Sequence, residues 1–391
     1  MTAVSSLQNA ARGRWAVAAM FFINGLLTGS WAPQIPVFLT RLDISKATLG
    51  LLILLFGLGA LTFMPLSGYL MSRHGSRAVV RGFASVCVFG LLLVALAPSV
   101  PLAVVAMFLF GGLIGGMDVA MNANAVAVER RLSRAVMSSS HAFWSLGGFA
   151  GGGAGGLIIQ HYGHVTHAII VTVIAIIFLA VAWRYLITDR KPVAQEHHKF
   201  TLPKTATVYL VGLMALMSMI PEGAVLDWAA LYLKQELGAE LATAGLAYAF
   251  FSGAMALMRF AGDGVRNHFG AVTTLRISSL IAASGMLVAA LSPWPWLVIA
   301  AFAFSGLGIA NMVPIAFSAG GNQPGMASGT GMSVVTTMGY SGILLAPSLI
   351  GFAAEHVGFS TVFVVLSGFL VIVFLMSSLA HTADFAAQPA E

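Results

Sequence analysis

Three acidic residues stand well inside long apolar stretches of this chain: Asp118, Glu222 and Asp227. A charge at the centre of a hydrocarbon layer costs ~2.5–3.5 kcal/mol on insertion scales. Residues retained at that cost usually line a cavity and serve a task. Loss of hydration disfavours the charged form of a carboxyl, so proton uptake near neutral pH becomes feasible. Glu222 follows Pro221 and precedes Gly223. That combination is expected to break a helix and free backbone groups beside the carboxylate. Glu222 lies ~24 Å into its stretch at about 1.5 Å per residue, past the midplane. No basic residue stands near it within that stretch. It is the first choice for proton coupling, and Asp118 the second. Asp227 is expected on another face of the same helix, nearer the outer surface, where water would solvate it.

Asp118 belongs to a helical stripe. Gly111, Gly115, Asp118, Asn122 and Glu129 recur at helical spacing and share one face. The small residues permit close helix approach, while Asp118 and Asn122 would line a cavity. The alternative is a hydrogen bond between helices. A second polar surface comes from Asn24, Thr28 and Trp31, and from His141, Ser145 and Gly148 with Trp144 adjacent. An indole offers a platform for a sugar face or an aromatic ring, and amides supply directional hydrogen bonds. Asn24, Trp31, Asn122, His141 and Trp144 are therefore candidate substrate-binding residues. The competing reading is interfacial tryptophans and a packed histidine. No metal or cofactor is expected. Cys87 is the one cysteine, which excludes an internal disulfide and a Cys-based cluster. His197 and His198 read as part of a solvated loop.

The elements that position these residues follow from hydropathy. Of 391 residues, 59% are hydrophobic and 8% charged, and the mean hydropathy is +0.92. A soluble domain carries roughly a quarter charged residues, so lipid is the expected solvent. Twelve apolar segments are expected to cross it: 15–39, 47–71, 78–97, 101–127, 136–160, 165–187, 206–233, 242–262, 272–291, 295–318, 326–350 and 358–380. Each reaches the ~20 residues that a spanning helix needs, and an open strand would leave its amides unpaired. If the N-terminus is cytoplasmic, all of the 19 Lys and Arg except Arg41, Lys46 and Lys234 fall on the inside. This positive-inside bias predicts an inner-membrane protein with both termini cytoplasmic. It accounts for the net charge of +6 without nucleic acid.

The polar stretch 188–205 divides the chain into an N-terminal six-helix bundle, 1–187, and a C-terminal one, 206–391. The halves look related. Ser30-Trp31-Ala32 matches Asp227-Trp228-Ala229, and Ala47-Thr48-Leu49-Gly50-Leu51 matches Ala242-Thr243-Ala244-Gly245-Leu246. Similar matches place Phe108, Phe110, Gly112 and Leu113 on Phe302, Phe304, Gly306 and Leu307. The nearly constant offset predicts two parallel repeats with a site between them, an arrangement of transporters.

After the second segment the chain reads Gly68-Tyr-Leu-Met-Ser72-Arg73-His-Gly75-Ser-Arg77. This resembles the loop 2–3 signature of the major facilitator superfamily, with Ser72 at the usual acidic position. The equivalent loop after segment eight, from Arg259 through Gly262-Asp263 to Arg266 and Gly270, keeps the acid. The resemblance covers essentially the whole chain. Within the superfamily it looks closest to the fucose-permease-like, sugar-permease-like bacterial branch. That likeness rests on Asn24-Gly25, on Asp118 to Asn124 with Glu129, on His141 to Gly148, on Glu222-Gly223 with Asp227-Trp228, and on Asn311 with Pro314. The resemblance implies an all-α membrane protein of twelve helices in two pseudo-symmetric bundles. It adds Asn311 to the substrate-binding candidates. It also implies gating by Arg73, Arg77 and Asp263, with Glu129 expected to pair with Arg73 or Arg77.

The function expected is secondary active transport of a small solute by alternating access, coupled to protons in symport. A sugar-like or small polar organic substrate is expected, with the protein a monomer whose other partners are protons and membrane lipids. Gly147-Gly148 and Gly151 to Gly156 form a packing surface. They also resemble an exporter-type pattern, with Gly152 where that pattern has Pro. Export of amphipathic or toxic compounds therefore stays open, as does passive facilitation. No P-loop, His-Glu-x-x-His or Gly-x-Ser-x-Gly pattern occurs, so neither ATP-driven transport nor an enzyme is expected.

Overall fold

The computed structural model describes residues 3–132, 136–188, 203, 205–324 and 328–384. The side chains of 3–10, Ser138, Asp263 and 328–330 lie outside that description. The expected linker 188–205, with His197 and His198, falls almost wholly outside it. The described residues are helical, in the order α1 (Ala3–Leu42), α2 (Lys46–His74), α3 (Ser76–Leu96), α4 (Val100–Leu132), α5 (Met137–Tyr162) and α6 (His164–Trp183). The second half contains α7 (Ala206–Gln235), α8 (Leu241–Phe269), α9 (Ala271–Leu291), α10 (Pro295–Gly321), α11 (328–357) and α12 (359–376). A short 3₁₀ segment, Ser377–Ala383, follows. Each helix answers to one expected segment. The helical ladder of α3 is interrupted at Val88–Phe89, where the Thr172 hydroxyl donates to the Val88 carbonyl at 3.0 Å.

Four glycines make the sharp turns between successive spans. Gly75, Gly163, Gly270 and Gly358 have φ of 78°, 85°, 77° and 77°, with ψ near 160°. Only glycine occupies that region without strain. Gly75 and Gly270 are 195 residues apart, and so are Gly163 and Gly358. The internal repeat is thus written into the turns as well as into the spans.

Several helix starts lack a side-chain cap of their own and take one from a distant acid. Glu129 Oε1 accepts from the Val136 and Met137 amides at 2.7 and 2.9 Å, at the start of α5. Glu236 accepts from Phe359 and Ser360 at the start of α12, at 2.6 and 3.2 Å. Asp384 accepts from the Ala271 amide at the start of α9. A carboxylate satisfies orphan amides there and meets the positive end of the helix dipole.

The most apolar window of α1 is 83% buried, against 28% for α2, so α1 is central and α2 peripheral. The two halves, α1–α6 and α7–α12, meet along α5 with α8, α2 with α11, and α1 with α7. Glycine permits the first contact. A Cβ on Gly147 or Gly151 would run into the α1 backbone at Leu26, and one on Gly155 would stand 2.5 Å from Pro33. A Cβ on Gly156 would lie 2.5 Å from the Leu241 carbonyl oxygen of α8, and one on Gly152 3.2 Å from the Ala249 nitrogen. One glycine-rich helix therefore offers two faces: one holds α1 within its own half, and the other meets the opposite half.

Candidate functional site

Glu222 and its neighbours meet near the middle of the helices. The α7 helix runs unbroken through Pro221-Glu222-Gly223, contrary to the expected break. The Glu222 carboxylate is also partnered, although not from its own helix. Arg259 Nη2, on α8, lies 3.2 Å from Glu222 Oε1, with the two side chains 18% and 21% exposed. The same guanidinium donates through Nη1 to Ser145 Oγ on α5 at 2.7 Å. Ser252 Oγ on α8 donates to the Ser145 carbonyl at 2.9 Å. Ser145 is thus a point where the C-terminal half grips the N-terminal half twice. One turn along, Gly148 leaves space for this contact, since a Cβ there would stand 2.7 Å from Ser252 Oγ and 3.0 Å from Tyr248 Oη.

Other titratable groups surround the pair. The Tyr248 phenol, on α8, feels the charges of Glu222, Arg259 and Asp227. The Tyr340 phenol, on α11, feels those of Asp118 and Glu222. His141, half-buried on α5, lies in the field of Arg259 with its ring edge-on to Phe21 at 5.0 Å. Asp118 is partly buried, and Asn122 Nδ2 donates to its backbone carbonyl at 2.9 Å. The geometry therefore draws Asp118, Glu222, Arg259, His141 and Tyr340 from five helices toward one central region.

Several expected site residues are placed differently. Asn24 is 1% exposed and both ends of its amide are engaged. Nδ2 donates to the Ile114 carbonyl at 3.1 Å, and Oδ1 accepts from Trp144 Nε1 at 2.9 Å. It ties α1, α4 and α5 together instead of presenting a free amide to a cavity. Trp31 is buried with its ring edge-on to Phe38 at 5.2 Å. Asn311 is buried against α8, where a Cβ on Gly262 would overlap its amide oxygen. Asp227 is buried, not bathed by water at the outer surface as its sequence position implied.

The expected pairing of Glu129 with Arg73 or Arg77 is not formed. Glu129 caps α5, as described above. Arg73 lies over the Tyr69 ring at 4.7 Å. Arg77 donates to Thr188 Oγ1 at 2.8 Å and to the Arg184 carbonyl at 3.4 Å, within its own half. The Asp263 side chain lies outside the described residues.

Sequence reasoning missed Arg259 and Tyr340. Arg259 falls inside the marked segment 242–262, and a basic residue within an apolar span was the available signal. Counting it with the loop cations hid it.

The hydrogen bonds and ion pairs joining the halves continue from this centre toward the end opposite the termini. Lys46 Nζ donates to the Ala354 carbonyl at 3.2 Å and lies 3.9 Å from Glu236 Oε1. Glu355 Oε2 accepts from the Ala47 amide at 2.9 Å. Gln160 donates to Glu240 at 3.1 Å and accepts from the Ala242 amide at 3.0 Å. That end is closed.

The family model of the Major Facilitator Superfamily matches residues 17–320 and, in an overlapping second match, 211–389. The uncharacterised transporter y4wD of Sinorhizobium fredii (strain NBRC 101917 / NGR234) is 36% identical over 366 residues, 92% of this chain and 96% of that protein. Membrane protein MosC of Rhizobium meliloti is 33% identical over 362 residues, 91% of this chain and 88% of that protein. Among solved structures, a mutant of the nucleoside transporter NupG aligns with a TM-score of 0.75 at 14% identity, covering 94% of this chain and 99% of that one. A bacterial homologue of the human lysosomal transporter Spinster, inward-facing and unoccupied, aligns with a TM-score of 0.70 at 14% identity, covering 97% and 99%. At such identity the structural likeness speaks for the fold alone.

Proposed function

Because the chain belongs to the major facilitator superfamily, we propose that it carries a small polar organic solute, sugar-like in size, across the bacterial inner membrane by proton-coupled alternating access. The observation that carries this reading is the Glu222–Arg259–Ser145 cluster. It lies at the middle of the helices, joins the two halves, and contains a carboxylate able to exchange a proton. The contacts that close the end opposite the termini support a form open toward the termini. The distribution of Lys and Arg supports a cytoplasmic location for that end. Glu222 is the first candidate for the proton site, with Asp118 and Asp227 after it. His141 and Trp144 are the candidates from α5 for contact with the solute, and Asn122 the candidate from α4.

Proteoliposomes test the reading directly. A panel of labelled sugars and small polar acids is offered with and without an imposed pH gradient. Accumulation that follows the gradient is expected for the wild type. The Glu222→Gln protein is expected to keep solute counterflow and lose gradient-driven accumulation, because a neutral amide mimics the protonated acid. Undiminished accumulation by Glu222→Gln would move the proton site to Asp118 or Asp227. Solute entry insensitive to the gradient in the wild type would remove proton coupling altogether.

A further inference from the structure

The contact between Arg259 and Glu222 is a single one, 3.2 Å long, and engages one carboxylate oxygen. A guanidinium presents a planar fork of five N–H donors and is best satisfied by a carboxylate bound through both oxygens. Of those donors, one reaches Glu222 and one Ser145 Oγ. The remaining three have no partner among the described residues. The side chain keeps 18% of its surface exposed in the middle of the protein. Arg259 is therefore a central cation held loosely and with donors to spare.

From this geometry we propose that Arg259 binds a carboxylate group of the transported solute, which displaces Glu222, and that Glu222 takes up one proton as it is displaced. The proposal rests on the transport reading above and adds the solute's chemical class: a small organic acid, its body carrying hydroxyls or a ring. The exchange balances. A carboxylate anion and a proton enter a site holding the Glu222 carboxylate and the Arg259 cation. A neutral Glu222 carboxyl and a new Arg259–carboxylate pair result, so the charge of the site is unchanged. The proton resides on a Glu222 carboxyl oxygen, and no covalent bond to carbon forms or breaks.

The surroundings argue that the proton must accompany the anion. The groups facing Glu222 are Arg259 and Tyr248 of α8 and Tyr340 of α11. Asp118 of α4 acts on that Tyr340 phenol, and Asp227 of α7 itself acts on Tyr248. His141 of α5 flanks Arg259. Two further carboxyls thus act on the phenols that face Glu222. A solute anion arriving alone would add a negative charge beside the Glu222 carboxylate, and the penalty grows as the effective dielectric falls. A neutral polyol could not take over the counter-charge that Glu222 gives up. Tyr340 and His141 remain as hydrogen-bonding partners for hydroxyls. Trp144 gives its indole N–H to Asn24.

The full-length protein in detergent provides the test. The probes are acetate, L-lactate, D-gluconate, D-glucuronate and benzoate, with propane-1,2-diol and D-glucitol as neutral counterparts. Melting temperature and proton uptake from weakly buffered solution are read together. At least one acid is expected to raise the melting temperature by several degrees while its neutral counterpart does not. About one proton per protein is expected to be taken up on binding. Arg259→Gln should lose this stabilisation, and Arg259→Lys should retain part of it. Glu222→Gln should bind the acid at least tenfold more tightly at alkaline pH, with no proton uptake. Equal protection by the neutral counterparts, undiminished protection of Arg259→Gln, or acid binding to the wild type without proton uptake would each overturn the proposal. So would failure of every acid to protect Glu222→Gln, in which Arg259 stands without its counter-charge. Counterflow of the same acid in proteoliposomes separates the two readings. Binding with proton uptake but no movement would overturn transport alone. Movement of neutral solutes only would overturn the carboxylate site and leave transport standing.

Discussion

Replacing Lys46 with alanine removes contacts that span the two halves at the closed end. The ammonium donates to the Ala354 carbonyl at 3.2 Å, lies 3.9 Å from Glu236 and sits 4.6 Å from the Phe359 ring centroid. Its side chain is 20% exposed and that of Glu236 25%, so water already screens part of each term. A long, partly solvated ion pair contributes ~0–1 kcal/mol, and an exposed cation–π contact ~0.5–1 kcal/mol. The hydrogen bond adds about 1 kcal/mol once the ammonium's regained hydration is counted. These terms are not additive, and a net loss of about 1–2 kcal/mol is expected. That shifts the ratio of closed to open forms roughly five- to thirtyfold. Ala249, fully buried where α8 faces α5, is a suitable reporter. In a Cys87→Ala background, alkylation of Ala249→Cys should accelerate by that factor when Lys46→Ala is added. An unchanged rate would refute the assigned role of the contact. So would parallel alkylation of the native, fully buried Cys87 in Lys46→Ala alone, because it would show loosening of the whole protein.

Three further outcomes are expected. Gly163→Ala and Gly358→Ala force a side chain into a left-handed backbone conformation, and each should cost ~1–3 kcal/mol in thermal unfolding. Gly68→Ala, which meets nothing within 4 Å, should cost nothing measurable. Gly156→Val drives its side chain into the Leu241 carbonyl; counterflow should fall at least tenfold while the protein still folds and purifies. Glu129→Gln keeps an acceptor for the Val136 and Met137 amides but loses the charge. It should cost ~0.3–1 kcal/mol of stability and leave cysteine accessibility at the termini-bearing end unchanged, an outcome that a gating role for Glu129 would reverse.

The spans, their number and the two-fold repeat were legible because hydropathy and glycine carry them. An apolar run of the length of α4 or α10 has no other stable form in lipid. Gly75 and Gly270 mark turns that other residues would strain. The glycine-rich face of α5 was legible as a packing surface, although not that its two registers serve two partners. Polar side chains were harder to read, because which group answers which depends on helix rotation and crossing. Asn24 looked like a ligand-binding amide, yet the Ile114 carbonyl and Trp144 indole that satisfy it come from α4 and α5. Glu129 looked like half of a gate because arginines lie nearby in topology, yet amides seven and eight residues further along reached it first. Glu222 looked unpaired because its partner stands 37 residues away on α8.

How the charges are divided between the halves bears on how such a protein could move. The central ion pair lies wholly within the C-terminal half, Glu222 on α7 and Arg259 on α8. It is linked to the N-terminal half through the Arg259 hydrogen bond to the Ser145 hydroxyl, and Ser252 beside it donates to the Ser145 carbonyl. Sliding one half past the other would therefore exchange hydrogen bonds to an uncharged residue and leave the central charges paired. Among the described residues, the ion pair that crosses between halves, Lys46 with Glu236, stands at the closed end, where both side chains touch solvent. Among the described residues, the central pair thus belongs to one half, and the pair that crosses stands at the closed end. A solute anion that took Glu222's place on Arg259 would preserve this arrangement, because the replacement pair would still travel within one half.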